Sequence, residues 1–126
     1  MSNVKHATNR FLPRAQPPTT TNGIAVADRI VVAGPTLITP VAGASETVYP
    51  VDTVTIGGAS AITLPLISAA GVKLTVKDAT GDADTGNITV SPTGADTIDT
   101  GASEIIATRF GSRTFISEAS GNWMVT

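Results

Sequence analysis

The sequence predicts an all-β protein, a compact antiparallel β-sandwich or β-roll with an extended N-terminal arm. Three observations lead there. From Asn22-Gly23 onward, short runs rich in Thr, Val and Ile alternate with Gly, Asp, Asn and Pro at close intervals, the spacing of a sandwich or barrel rather than of a strand-helix-strand fold. The one helical candidate, residues 66–70, is too short to be more than a turn. Before Gly23 the chain is basic and broken by Pro13, Pro17 and Pro18, a composition that cannot bury a core of its own. The expected division is therefore an arm, residues 1–22, and a β-domain, residues 23–126.

In the arm, the prolines fix φ and remove backbone donors, and the following Thr19-Thr20-Thr21 run favours extended chain. Arg10, Phe11, Leu12 and Arg14 place an apolar pair between two cations, the make-up of a docking peptide. In the body, residues 29–33 and 36–41 are expected to pair around Gly34-Pro35. Residues 51–56 read as a strand, since five of the six are β-branched and the run stops at Gly57-Gly58. Further strands are predicted over 61–64, 72–77, 87–91, 104–108, 113–117 and 123–126. In 72–77 the alternation is complete, with Val72, Leu74 and Val76 on one face and Lys73, Thr75 and Lys77 on the other, so one face is buried and one wet. The links at 81–87 and 119–122 carry hairpin residues. With no helix between strands, antiparallel pairing is expected, because it needs only short connections.

Aromatic residues make up only 4% of the chain, so burial within one copy stabilises it less than a typical domain. Self-association would compensate. The net charge of -2 conceals an asymmetry. The arm holds Lys5, Arg10 and Arg14 and no acid, whereas the body holds five cations against ten acids, leaving -5. An acidic body repels nucleic acid, and three spread cations are too few for a phosphate-binding stripe. Neither nucleic acid nor membrane is an expected partner: the most apolar stretch, 24–44, is interrupted by Asp28, Arg29, Pro35 and Pro40. The N-terminus lacks a continuous apolar run of the secretory type, which sets the expectation of synthesis in the cytoplasm.

Chemistry finds little purchase. There is no cysteine and His6 is the sole histidine, so a thiolate site, a two-histidine metal site or a His-dependent triad cannot form within one chain. Asp99-Thr100-Gly101-Ala102-Ser103 matches the tripeptide around an aspartic protease carboxylate, but the supporting apolar-apolar-Gly segment is missing, since Ala107 follows Ile105-Ile106. Asp84-Thr85-Gly86 repeats the tripeptide as ordinary turn chemistry. Asp78, Asp82 and Asp84 crowd one turn, yet an EF-hand would need a bidentate Glu where Thr89 stands. Solvated turn acids are the favoured account, with a looser calcium or magnesium site the alternative; no catalytic residue, cofactor or small-molecule substrate is expected, and no metal site is assigned.

The C-terminal half, residues 62–125, contains an ordered series of blocks: Ile-Thr-Leu-Pro, then Ala-Ala-Gly-Val-Lys-Leu-Thr-Val-Lys-Asp, then Asn-Ile-Thr-Val-Ser-Pro-Thr-Gly-Ala-Asp-Thr-Ile-Asp. Phe-Gly-Ser-Arg-Thr-Phe-Ile-Ser and Gly-Asn-Trp-Met-Val complete it. This series resembles a recurring β-module of tailed-bacteriophage virion proteins, present in tail-fibre, tail-spike and capsid-associated chains that typically assemble as homotrimers. The family's Ser-Asp-Gly-Thr-Asn-Trp turn is replaced here by Glu118-Ala119-Ser120-Gly121-Asn122-Trp123, which keeps the Gly, Asn and Trp. The resemblance implies a structural virion protein, not an enzyme. The short chain favours a trimeric capsid decoration (cement) protein on the capsid surface, its partner the major capsid protein; the alternative is a tail-fibre or tail-spike component that attaches to the host surface. In that reading Arg10, Phe11, Leu12 and Arg14 bind the capsid, and Trp123 and Phe115 belong to the core or the trimer interface.

Overall fold

A computed structural model describes Thr20, Thr21 and residues 23–126 of the protein. The arm beyond them, with Arg10, Phe11, Leu12 and Arg14, lies outside the described residues.

The body is almost entirely β. Strands run over Thr20–Thr21 (β1), Ile24–Val26 (β2), Thr36–Leu37 (β3), Glu46–Val51 (β4), Ser60–Thr63 (β5), Lys73–Asp78 (β6), Ile88–Ser91 (β7), Thr97–Ile98 (β8), Glu104–Ile106 (β9), Ser112–Ser117 (β10) and Asn122–Val125 (β11), with one helical turn at Thr53–Ile56 (α1). They form a seven-stranded sheet, ordered β1-β2-β4-β6-β10-β11-β8, and a four-stranded sheet, ordered β3-β5-β7-β9.

Pairing is mixed rather than antiparallel, and this corrects the expectation from sequence. The strands β2, β4 and β6 pair in parallel, as do β3, β5 and β7, while β1–β2, β6–β10, β10–β11 and β7–β9 are antiparallel. The chain alternates between the sheets: β2, β4 and β6 lie in the larger, and β3, β5 and β7 in the smaller. It therefore winds as a short solenoid. One coil takes 22 residues from Ile24 to its partner Glu46, and the next takes 27 from Thr47 to Leu74. A parallel pair needs a long crossover, usually helical; here the strand in the opposite sheet serves as that crossover, so no helix is required.

Both sheets supply one core. Tyr49, Val51, Leu74, Val76, Phe115 and Trp123 come from the larger sheet, and Ile62, Ile88, Val90 and Ile106 from the smaller. The period-2 pattern that put Leu74 and Val76 on one face holds, since both are fully buried. Thr75, on the opposite face, is nonetheless only 9% exposed. Glu46 and Thr114 on the flanking strands hydrogen-bond its hydroxyl and cover it.

Elements 53–56 and 46–51 depart from the sequence reading. Thr53–Ile56 is helical, not extended, because Asp52 accepts a hydrogen bond from the Thr55 N–H at 3.0 Å and another from the Thr55 hydroxyl at 2.9 Å. Those hydrogen bonds, mainly the backbone one, lower the Asp52 pKa. At the other end Gly57 adopts a left-handed φ of 73° and donates to the Thr53 carbonyl, a helix-ending geometry open to glycine. End caps thus override the β-branched preference of Val54, Thr55 and Ile56. Conversely, Glu46–Val51 is a central strand despite Pro50, although proline normally avoids that place. The Pro50 carbonyl accepts from the Ile30 N–H, so the missing Pro50 donor falls on that same side, past Val26 where β2 ends. Of the expected strands 29–33 and 36–41, only a bridge at Ile30 and the pair Thr36–Leu37 form, and residues 66–70 contain no helix.

Candidate functional site

The first coil of the solenoid carries the features that distinguish this body from a closed one. In β2 the alternation buries Ala25 and turns Ile24 and Val26 outward, where they are 39% and 51% exposed. Val31, Val32 and Leu37 follow in the same coil and are also exposed. Five large apolar side chains thus face solvent within fourteen residues. Exposed apolar side chains so concentrated on one coil make that coil the candidate contact region of the body. The strand β3 ends the smaller sheet, so its outer backbone edge is unpaired among the described residues, a place where another strand can add.

Between the end of β2, the segment 36–41 and β4 lies a groove of about 400 Å³, whose walls include Ile30, Leu37, Pro40, Val41 and Tyr49. Asp28 sits on its rim, exposed, and forms no ion pair among the described residues. The neighbouring Arg29 faces Asp52 instead, at 3.9 Å. Tyr49 fixes the groove floor. It is 5% exposed and its hydroxyl donates to the Thr39 carbonyl, tying β4 to the groove wall. Burial pushes the Tyr49 pKa up to about 12, offset in part by the Thr47 hydroxyl. Thr47 itself accepts from the Val41 N–H at 3.1 Å and holds the opposite end of the same wall.

The acidic turn separates into different roles. Asp78 continues the inward face of Leu74 and Val76 on β6 and is fully buried. Its Oδ1 accepts from the Thr53 hydroxyl at 2.6 Å and the Gly81 N–H at 3.0 Å, and its Oδ2 from the Ala83 N–H at 3.0 Å and the Phe110 N–H at 2.9 Å. Burial alone would raise its pKa, but these donors outweigh it and hold the carboxyl at about 2. The group is a brace that gathers α1, the turn 79–83 and the loop before β10. Asp84 is exposed and pairs with Arg109 at 3.3 Å. Asp82 accepts from the Thr85 hydroxyl at 3.2 Å. No three His, Asp or Glu side chains approach closely enough to share a metal ion among the described residues.

No protein-family model matches the sequence, and no curated protein matches it either.

Trp123 and Phe115 are 1% and 0% exposed, inside the chain's own core. Asp99 and Thr100 both take left-handed backbone, with φ of 45° and 62°. The turn closes through the Gly101 N–H on the Ile98 carbonyl, and Asp99 Oδ1 accepts from the Val125 N–H at 3.1 Å. In Asp84-Thr85-Gly86, Thr85 and Gly86 both donate their N–H groups to the Asp82 carbonyl. Both Asp-Thr-Gly tripeptides are thus turns held by their own backbone. The groove is not legible from the chain, since its wall comes from segments with the pattern of plain strands and its floor residue Tyr49 from a strand whose Pro50 argues against a central place. The run of β-branched and aromatic residues 47–49 ahead of Pro50 was the available signal.

Proposed function

We propose that the chain is a structural virion protein of a tailed bacteriophage and not an enzyme: a trimeric capsid decoration protein that clamps neighbouring copies of the major capsid protein. One observation carries the reading. The basic arm enters an acidic body at the coil that exposes Ile24, Val26, Val31 and Val32, so apolar and cationic contacts converge on one end of the stack.

In this reading the first coil stands on the shell and the arm lies across adjacent subunits, Arg10 and Arg14 meeting carboxylates and Phe11 and Leu12 filling an apolar groove. Three bodies pack around an axis, with the exposed Ile105 and Met124 near the far end supplying apolar surface for that packing. Three arms engaged at once raise the effective concentration of each, so weak single contacts become durable attachment. The resemblance of residues 62–125 to phage virion modules supports the same reading.

The test is deletion of residues 1–22. The shortened protein is expected to remain a folded trimer by native mass and to lose binding to capsids that lack decoration. Unchanged capsid binding after the deletion overturns the clamp, and a monomeric native mass with retained shell binding overturns the trimer.

A further inference from the structure

The groove beside β3 has an occupant within reach, and the register of β1 points to it. Thr20 pairs with Ala25 and Thr21 with Ile24, antiparallel. Followed toward the N-terminus, the chain therefore leaves β1 in the direction of Val26, Ala27 and Asp28, the last two of which open the groove. Eight residues separate Thr20 from Leu12, an extended reach of about 26 Å, ample for a groove that begins at the next residues of the ladder. Pro17 and Pro18 end a ladder there, because of two adjacent residues one always turns its missing donor toward the neighbouring strand, so the chain before them can leave the edge for the groove.

We propose that the groove is the seat of the chain's own arm: Phe11 and Leu12 lie against Ile30, Leu37, Pro40 and Val41, and Arg14 pairs with Asp28. The chemistry matches on both counts. The walls are apolar, as the pair requires, and the rim carries an exposed carboxylate with no ion pair among the described residues, as the flanking arginine requires. A tethered segment also docks at high effective concentration, so modest contacts suffice. The seat goes beyond the proposed function and stands without it: it describes the protein free in solution, where a parked arm shields the apolar pair until a competing surface draws it out.

The chain contains no cysteine, which makes the test direct. In the full chain, Leu12→Cys is combined with Leu37→Cys, the latter at a position 61% exposed; the control combines Leu12→Cys with Thr85→Cys, at an exposed site in the turn 82–86. Under mild oxidation at low protein concentration, the groove pair is expected to close an intrachain disulfide about tenfold faster than the control. In parallel, Phe11→Ser with Leu12→Ser in the cysteine-free chain is expected to shift amide resonances of residues 27–41 and leave those of β10 and β11 in place. Equal closure rates, unchanged amide resonances, or cross-links that form only between chains each overturn the proposal. No capsid enters the experiment, so its failure is distinct from failure of the clamp.

Discussion

Replacing Asp78 by Asn tests how much of the body rests on a single carboxylate. The side chain is fully buried, and its two oxygens accept from Thr53, Gly81, Ala83 and Phe110. An amide keeps one acceptor and puts an NH2 group where the other stood. With the NH2 in the Oδ2 place the Ala83 and Phe110 N–H groups face a donor, and with it in the Oδ1 place the Gly81 and Thr80 N–H groups do, while only the Thr53 hydroxyl can turn to accept. Each buried donor left unsatisfied costs about 1–3 kcal/mol, so a loss of about 2–6 kcal/mol is expected at neutral pH. With a urea dependence of about 1–3 kcal/mol per molar, the midpoint falls by at least about 0.7 M. The pH dependence gives an independent signature. The folded-state pKa of about 2 lies below the ordinary 3.8, so the charged form stabilises the fold above the unfolded-state value and this contribution is lost as pH drops through 2. Its size is about 2 kcal/mol. Urea titrations of parent and Asp78→Asn at pH 7, 4 and 2 should show the gap narrowing by roughly that amount in acid. A variant within about 0.5 kcal/mol of the parent at pH 7, or a gap that stays constant with pH, refutes the brace.

Two further outcomes are expected. Tyr49→Phe removes the hydrogen bond to the Thr39 carbonyl and costs about 1 kcal/mol. Because the Tyr49 pKa is raised to about 12, its contribution is whole below the ordinary value of 10 and fades as pH climbs through 12. Thermal unfolding followed by circular dichroism should therefore show an alkaline decline in the parent that is weaker in Tyr49→Phe. Gly86→Ala drives a Cβ into the Gly58 carbonyl, a backbone group with no rotamer to move aside, and should cost about 1–3 kcal/mol. Gly58→Ala is the control: its Cβ meets nothing within 4 Å, and chemical denaturation should place it within about 0.5 kcal/mol of the parent.

What the sequence discloses about this fold depends on how local the deciding interaction is. Strand character at 73–78, 88–91, 112–117 and 122–125 is legible, because alternation and β-branched content act within the element itself. Pairing direction is not. The same short links serve a hairpin or a passage to the other sheet, and coils of 22 and 27 residues differ enough to leave no regular repeat. Residues 53–56 mislead because a cap from Asp52 and a left-handed Gly57 outweigh the preference of the residues between them. Asp78 looks like its neighbours Asp82 and Asp84 along the chain; only the continued inward face of β6 separates a buried brace from solvated turn acids. Of the candidate site, the apolar pair Phe11-Leu12 between two arginines is visible as composition, whereas the groove comes from Asp28, Leu37 and Tyr49, brought together by the winding.

The winding has a consequence for size. Between β2 and β7 each coil stacks on the one before it through parallel ladders, so that stretch can gain or lose whole coils, each about 4.8 Å of height, while the strands β8 to β11 that close the stack stay as they are. A chain built on this plan sets the distance between its first coil and its far end by counting coils.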